Sequence, residues 1–126
     1  MGDYRKLKVW RKAHELALFT YHATERMPRS EIYGLTSQMR RAAVSVPSNV
    51  AEGASRLGDR DLARCVGIAI GSVNELQYQF RLAGDLGWIT AETQRQAGDL
   101  TSEVRAMLDG LRRRLLGVPP GRRPVG

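Results

Sequence analysis

The sequence predicts an all-α protein, an up-down-up-down antiparallel four-helix bundle over residues 1–116. In four segments, apolar residues recur at alternating steps of three and four, the spacing that lines one side of a helix for antiparallel packing. No alternating run of β-branched residues bounded by turn pairs indicates a strand. The links between the segments are short, and short links place consecutive helices antiparallel to each other.

The first helix is predicted over residues 7–27, and a turn at residues 28–31 separates it from the second. In that turn Ser30 is expected to cap the second helix, and Glu31 suits the positive start of a helix. The core stripe of the first helix is Val9, Ala13, Leu16, Thr20, Ala23 and Met27, with Trp10, Ala17 and Tyr21 beside it.

The second helix is predicted over residues 30–55, with a proline in its interior. Pro47 removes the N–H that would bond to the carbonyl of Ala43, and its ring crowds that turn. The apolar repeat stays in phase beyond Pro47, so we expect a kinked but continuous helix. Its stripe is Ile32, Leu35, Met39, Ala42, Val46, Asn49 and Gly53.

The third and fourth helices are predicted over residues 59–86 and 90–116. Asp59 and Thr90 are the expected N-caps, and Gly87 is the expected left-handed residue after the third helix. Residues 117–126, rich in Arg, Pro and Gly, are predicted to be a flexible tail. The two stripes are Leu62, Val66, Ala69, Val73, Leu76, Phe80 and Ala83, then Ala97, Leu100, Val104, Met107 and Leu111.

Positive charge is concentrated at the two ends of the chain. The net charge is +7, from 20 basic and 13 acidic residues. The start of the first helix and the end of the fourth lie at the same end of such a bundle. We therefore predict that the two clusters converge and bind RNA or DNA through phosphate contacts. An acidic protein, lipid headgroups or a role in solubility alone are the alternatives. The predicted binding residues are Arg5, Lys6, Lys8, Arg11, Lys12, Arg112, Arg113, Arg114, Arg122 and Arg123.

Polar residues also follow the predicted interface between the second and third helices. A half-buried pair between Arg41 and Glu75 would fix the register of the two helices more than it would stabilise them. A polar pocket is the alternative. Gly67 and Gly71 allow close approach of a neighbouring helix or of another subunit. The predicted register residues are Gln38, Arg41, Ser45, Asn49, Glu52, Ser72 and Glu75.

Residue types for catalysis are sparse, so we expect no enzyme activity, no metal and no cofactor. His14 and His22 lie two turns apart, and neither has a carboxylate three residues before it. Cys65 is the only cysteine, which excludes an internal disulfide and a cysteine-based zinc cluster. An enzyme with a polar site between the second and third helices is a minor alternative. We also expect no exposed aromatic platform, and hence no sequence-specific nucleic-acid readout.

No membrane partner is expected. The charge-free stretch from Cys65 to Asn74 has ten residues, about half of what a membrane-spanning helix needs. No apolar signal-peptide segment follows the basic start of the chain. A cytoplasmic protein is the expectation.

Five segments carry a resemblance to a known bacterial family, and the stretch around Asn49 is the most specific. They read Tyr4-x-x-Leu7-x-Val9-Trp10-x-x-Ala13; Pro28-x-x-Glu31-x-Tyr33-Gly34-Leu35-x-x-Gln38-x-Arg40-Arg41-Ala42-Ala43; Ser45-Val46-Pro47-Ser48-Asn49-Val50-Ala51-Glu52-Gly53; Ala69-x-Gly71-Ser72-x-x-Glu75; and Leu86-Gly87-Trp88-Ile89. In these segments the chain resembles the four-helix-bundle proteins encoded in intervening sequences of 23S rRNA genes. More distant relatives are the accessory variability proteins of diversity-generating retroelements.

The resemblance implies a homo-oligomer, often a pentamer with its protomers arranged as a barrel, and no known enzyme activity. For some members it implies binding of nucleic acid or of a reverse transcriptase through a positively charged surface. We therefore expect a homo-oligomeric accessory factor that binds RNA or DNA. The alternative is a scaffold that binds a reverse transcriptase or an acidic partner without contacting nucleic acid.

Overall fold

All four predicted helices are present in the structure, a computed structural model that describes residues 2–119. They are α1 (Lys8–Thr24), α2 (Leu35–Ala54), α3 (Asp59–Asp85) and α4 (Ala91–Leu116). Short 3₁₀ turns lie at Tyr4–Lys6 and Arg29–Glu31, and no strand occurs within residues 2–119. Each helix packs on the next, and α1 also packs on α4, which closes the bundle. The all-α prediction is confirmed.

The core is built from the predicted apolar stripes. All seven stripe residues of α3 are buried, and Leu16, Met39 and Val104 from the other helices are fully enclosed. Leu108 and Thr101 of α4 are also fully buried, although neither belongs to the predicted stripe. Ile32 was assigned to the core wrongly: it is 46% exposed, because it lies in the link before α2 begins.

The link between α1 and α2 is longer than predicted. α1 ends at Thr24, and α2 begins at Leu35 rather than at residue 30. Ser30 does not cap α2; instead the Oε1 atom of Glu31 accepts a hydrogen bond from the backbone N–H of Leu35 at 3.1 Å. A carboxylate at this position satisfies a free N–H group and complements the positive end of the helix.

Two of the three predicted capping residues of α3 and α4 have the expected role. Thr90 caps α4 by accepting a hydrogen bond from the N–H of Thr93 at 3.0 Å. Gly87 adopts a φ of +75° after α3, and the N–H of Trp88 returns to the carbonyl of Ala83 at 2.9 Å. Asp59 is not a cap. It lies in the first turn of α3, after a residue that makes no side-chain cap.

α2 and α3 pack closely at Gly53, which follows Pro47 in α2. α2 continues without a break through Pro47, as predicted. A β-carbon built on Gly53 would lie 2.9 Å from the β-carbon of Cys65, a distance that only glycine permits. A β-carbon built on Gly67 would lie 3.5 Å from Nε of Arg112 in α4, an ordinary van der Waals distance, whereas one built on Gly71 would have nothing within 4 Å. The intramolecular close contact is therefore made by Gly53 rather than by the predicted pair as a whole.

Candidate nucleic-acid interface

The two terminal basic clusters lie at one end of the bundle, which we call the basic end. The turn Tyr4–Lys6 packs against α2, where Tyr4 lines a groove with Pro47 and Ala51. α4 finishes beside the start of α3, as the contact between Arg112 and Gly67 shows. This convergence follows from the antiparallel order of four helices, since the first start and the last end must then be neighbours.

Three of the predicted phosphate-binding cations are already engaged by carboxylates. Arg5 pairs with Asp3 at 2.9 Å, and Arg113 pairs with Asp109 one turn earlier at 3.0 Å. Lys12 bridges α1 to α4 through Glu103 at 2.9 Å, and it also meets Glu15 at 3.3 Å. The hydrogen bond to Glu103 is the main reason that the pKa of Lys12 is raised. These cations would have to leave an ion pair before they could bind a phosphate.

Four more of the predicted cations at this end are exposed and lack an acidic partner within residues 2–119. Among the described residues, no carboxylate lies within 4.0 Å of the charged groups of Lys6, Lys8, Arg11 or Arg114. All four side chains belong to exposed residues. Cations outside ion pairs can exchange counterions for phosphate groups without breaking a salt bridge. Arg122 and Arg123, and the predicted flexibility of residues 120–126, lie outside the described residues.

Two further cations at the basic end come from the start of α3. Arg60 and Arg64 are exposed, and neither is in an ion pair within residues 2–119. The acidic neighbours Asp59 and Asp61 share this turn, so the added positive charge is partly offset. These two arginines were not predicted, because the prediction of the binding residues used only the charges at the two ends of the chain. The predicted topology could have found them, since an up-down bundle places the α2–α3 turn at this same end.

The polar row between α2 and α3 contains a hydrogen bond between the two helices, but this bond joins Ser45 to Ser72 rather than Arg41 to Glu75. The hydroxyls of Ser45 and Ser72 lie 2.8 Å apart across the interface, and Nδ2 of Asn49 donates to Oγ of Ser45 at 3.0 Å. Arg41 and Glu75 face one groove without forming an ion pair within residues 2–119. The expected pairing of these two side chains was therefore wrong.

Other polar contacts in this row stay within one helix. Nε2 of Gln79 donates to Glu75 at 3.4 Å, and Arg56 pairs with Glu52 at 2.7 Å. Both partners of each pair lie four residues apart on the same helix, where side chains meet readily. Glu52 therefore does not link the helices. Gln38 is exposed and lines the α2–α3 groove.

The face formed by α1 and α2 exposes aromatic and apolar side chains. Tyr33 is 95% exposed and Tyr21 is 43% exposed, so this face carries exposed aromatic side chains that the sequence did not predict. Towards the basic end, this face holds an apolar groove of about 380 Å³ lined by Trp10, Leu18 and Pro47, among others. The imidazole of His14 stacks on the Trp10 ring there, at 5.1 Å between centroids.

The described part of the chain contains neither a cluster of metal-ligating side chains nor a helix that could span a membrane. Within residues 2–119, no three His, Cys, Asp or Glu side chains are grouped so that they could hold a metal ion. None of the helices in this range combines the length and the apolar character needed to cross a membrane.

Comparison with known proteins assigns the chain to a family. The sequence profile of the family described as 23S rRNA-intervening sequence protein matches residues 5–110, and the chain belongs to that family. Its fold is similar to the crystal structure of a protein with unknown function from the S23 ribosomal protein family of Bacteroides thetaiotaomicron VPI-5482. That structure has a TM-score of 0.77 and 20% identity, over 83% of this chain and 95% of the other. No curated protein matches the chain.

Proposed function

We propose that this member of the 23S rRNA-intervening sequence protein family is a non-enzymatic homo-oligomer that binds RNA or DNA at its basic end. The observation that carries the proposal is a group of exposed cations at one end of the bundle, none of which is in an ion pair within residues 2–119: Lys6, Lys8, Arg11 and Arg114. Contacts of this kind bind the phosphate backbone and do not distinguish one sequence from another. The family's description names an intervening sequence of 23S rRNA, which makes RNA a natural ligand to test first.

Self-association is supported by apolar surface that one bundle leaves uncovered. Leu18 is 50% exposed and Val44 is 41% exposed, and both line the apolar groove between α1 and α2. On α3, Ile68 and Leu86 are also about half exposed, at 46% and 49%. Apolar surface of this extent is typical of an interface. Association of several subunits would multiply the number of phosphate contacts, and the family resemblance implies five copies.

Light scattering tests the self-association directly. The intact protein at micromolar concentration should show a mass several times 14.0 kDa. Leu18→Glu should lower that mass, because it places a charge in the apolar groove. Gln96→Glu, an exposed position on α4, is the matched control and should leave the mass unchanged. A monomeric wild type would remove the oligomer from the proposal.

Binding to nucleic acid of unrelated sequences, measured over a salt series by fluorescence anisotropy, tests the ligand. We expect tight binding at low salt that weakens steeply as salt rises, with little difference between sequences. No binding at low salt by the intact oligomer would refute nucleic-acid binding. The protein would then be better described as a scaffold for a reverse transcriptase or for an acidic partner. Cytoplasmic localisation is part of the same proposal.

A further inference from the structure

A second groove lies on the α1–α2 face, at the end of the bundle opposite the basic end. Its volume is about 660 Å³, and Tyr21, Tyr33, Arg40 and Arg41 contribute to its lining. The side chains of Tyr21 and Tyr33 present aromatic surface, and the two arginines bring positive charge to the same place. Aromatic faces beside arginines form the combination that binds unpaired bases together with their phosphates.

The side chain of Arg40 is held in position by its neighbours. Its guanidinium lies 4.8 Å from the centroid of the Tyr21 ring, and its Nε donates to Oγ1 of Thr24 at 3.0 Å. A second nitrogen reaches the carbonyl oxygen of Tyr21 at 3.5 Å. These contacts hold the guanidinium of Arg40 beside the ring of Tyr21 before any ligand binds. Less side-chain entropy is therefore lost on binding.

Arg41 joins this groove to the α2–α3 groove, which has a volume of about 470 Å³. Tyr78 is 63% exposed there, whereas Gln79 is only 5% exposed. The Oε1 atom of Gln79 is buried and accepts no hydrogen bond from any group within residues 2–119. A buried acceptor without a donor is unfavourable, so this atom indicates a missing N–H donor. The carboxylate of Glu75 in the same groove is a second acceptor.

We propose that these two grooves form a binding track for single-stranded nucleic acid. One unpaired base stacks on Tyr33, and the following phosphate lies against Arg41. The next base presents its amino group to Oε1 of Gln79 and to Glu75, beside the ring of Tyr78. Adenine, cytosine and guanine carry such an amino group, and uracil and thymine do not. This proposal rests on the proposed function, because the ligand is again a nucleic acid. The site is separate from the basic end, and it selects single strands.

An acidic peptide fits the two grooves less well than a nucleotide chain does. Its carboxylates would suit Arg40 and Arg41, but they would be repelled by Glu75 in the adjoining groove. An A/C-containing single strand alternates phosphates with base amino groups, so it offers an acceptor at Arg41 and a donor at Gln79. The lining of both grooves is therefore matched by one ligand.

The experiment compares a 12-nucleotide A/C single strand with a blunt duplex of the same sequence, using the full-length protein. Tyr33→Ala removes the stacking surface at a side chain that is 95% exposed, so the fold should survive. We expect its affinity for the single strand to fall roughly 5- to 150-fold, with less than about twofold change for the duplex. Tyr33→Phe keeps the ring and should bind like the wild type. Leu57→Ala, a 98% exposed residue at the other end, should also bind like the wild type.

The outcomes separate this site from the basic end. An unchanged single-strand affinity in Tyr33→Ala, or equal losses for single strand and duplex, would overturn the track. A lower oligomer mass in Tyr33→Ala would assign the groove to a subunit contact and would also overturn it. If Lys6→Gln with Lys8→Gln abolishes binding while Tyr33→Ala has no effect, the basic end stands and the track fails. The opposite pattern supports the track and refutes the basic end, and a wild type that binds neither ligand refutes both.

Discussion

Substitution of Gly53 by alanine tests how closely α2 and α3 are packed. The new β-carbon would lie 2.8 Å from Cδ1 of Leu62, 2.9 Å from the β-carbon of Cys65 and 3.3 Å from the Leu62 α-carbon. The last two atoms belong to the backbone or are fixed to it, so the helices must move apart. Overpacking of this kind costs about 1–3 kcal/mol. Replacing a helical glycine with alanine contributes at most about 1 kcal/mol in the opposite direction.

Gly53→Ala should therefore lower the free energy of unfolding by up to about 2 kcal/mol. Gly71→Ala is the matched control: it lies within α3 with nothing within 4 Å of the added atom. It should raise the free energy of unfolding by up to about 1 kcal/mol. Urea unfolding followed by circular dichroism, at one protein concentration, measures both. If Gly53→Ala stabilised the protein as much as Gly71→Ala, the close contact between α2 and α3 would be refuted.

Three further changes test other contacts in the bundle by urea unfolding. Ser45→Ala should destabilise the fold by about 0.5–1.5 kcal/mol, and the effect should shrink when Ser72 is already alanine; equal effects in both backgrounds would show that the hydroxyls do not interact. Thr90→Ala should cost about 1 kcal/mol through loss of the α4 cap, and a change near zero would argue against the cap. The hydrogen bond from Arg95 lowers the pKa of Glu92 in the folded protein. This hydrogen bond therefore stabilises the fold above the pKa that Glu92 has in the unfolded chain, and the stabilisation is lost as the pH falls through the pKa of Glu92 in the folded protein. Glu92→Gln should therefore make the urea midpoint less sensitive to acid below about pH 5, and an unchanged acid response would contradict this.

The fold could be predicted from the sequence because the apolar stripe of each helix is the face that packs against the neighbouring helices. The stripe of α3, from Leu62 to Ala83, is buried throughout, and short links allow only one simple arrangement. The start of α2 could not be placed in the same way. Ser30 and Glu31 are both good residues for a helix start, and only the three-dimensional path of the link determines that Glu31 reaches the N–H of Leu35.

The candidate sites were predicted less completely, because charge along a sequence does not reveal which charges are paired. Lys12 and Lys8 look alike in the sequence, yet Lys12 is bound by Glu103 from α4 while Lys8 has no acidic partner within residues 2–119. Tyr33 is 95% exposed. Its exposure follows from its place in the link before α2, which helical periodicity does not describe.

The salt dependence of DNA binding in two charge-matched variants shows whether phosphates bind at the basic end. Lys6→Gln with Lys8→Gln removes two unpaired charges from the basic end. Arg81→Gln with Arg95→Gln removes two charges that are paired with carboxylates at the opposite end. For duplex DNA, the first variant should reduce the slope of log K against log salt by about 1.8 per engaged subunit, and the second should leave the slope unchanged. Equal losses in the two variants would show that net charge alone drives binding, and would contradict a defined phosphate-binding end.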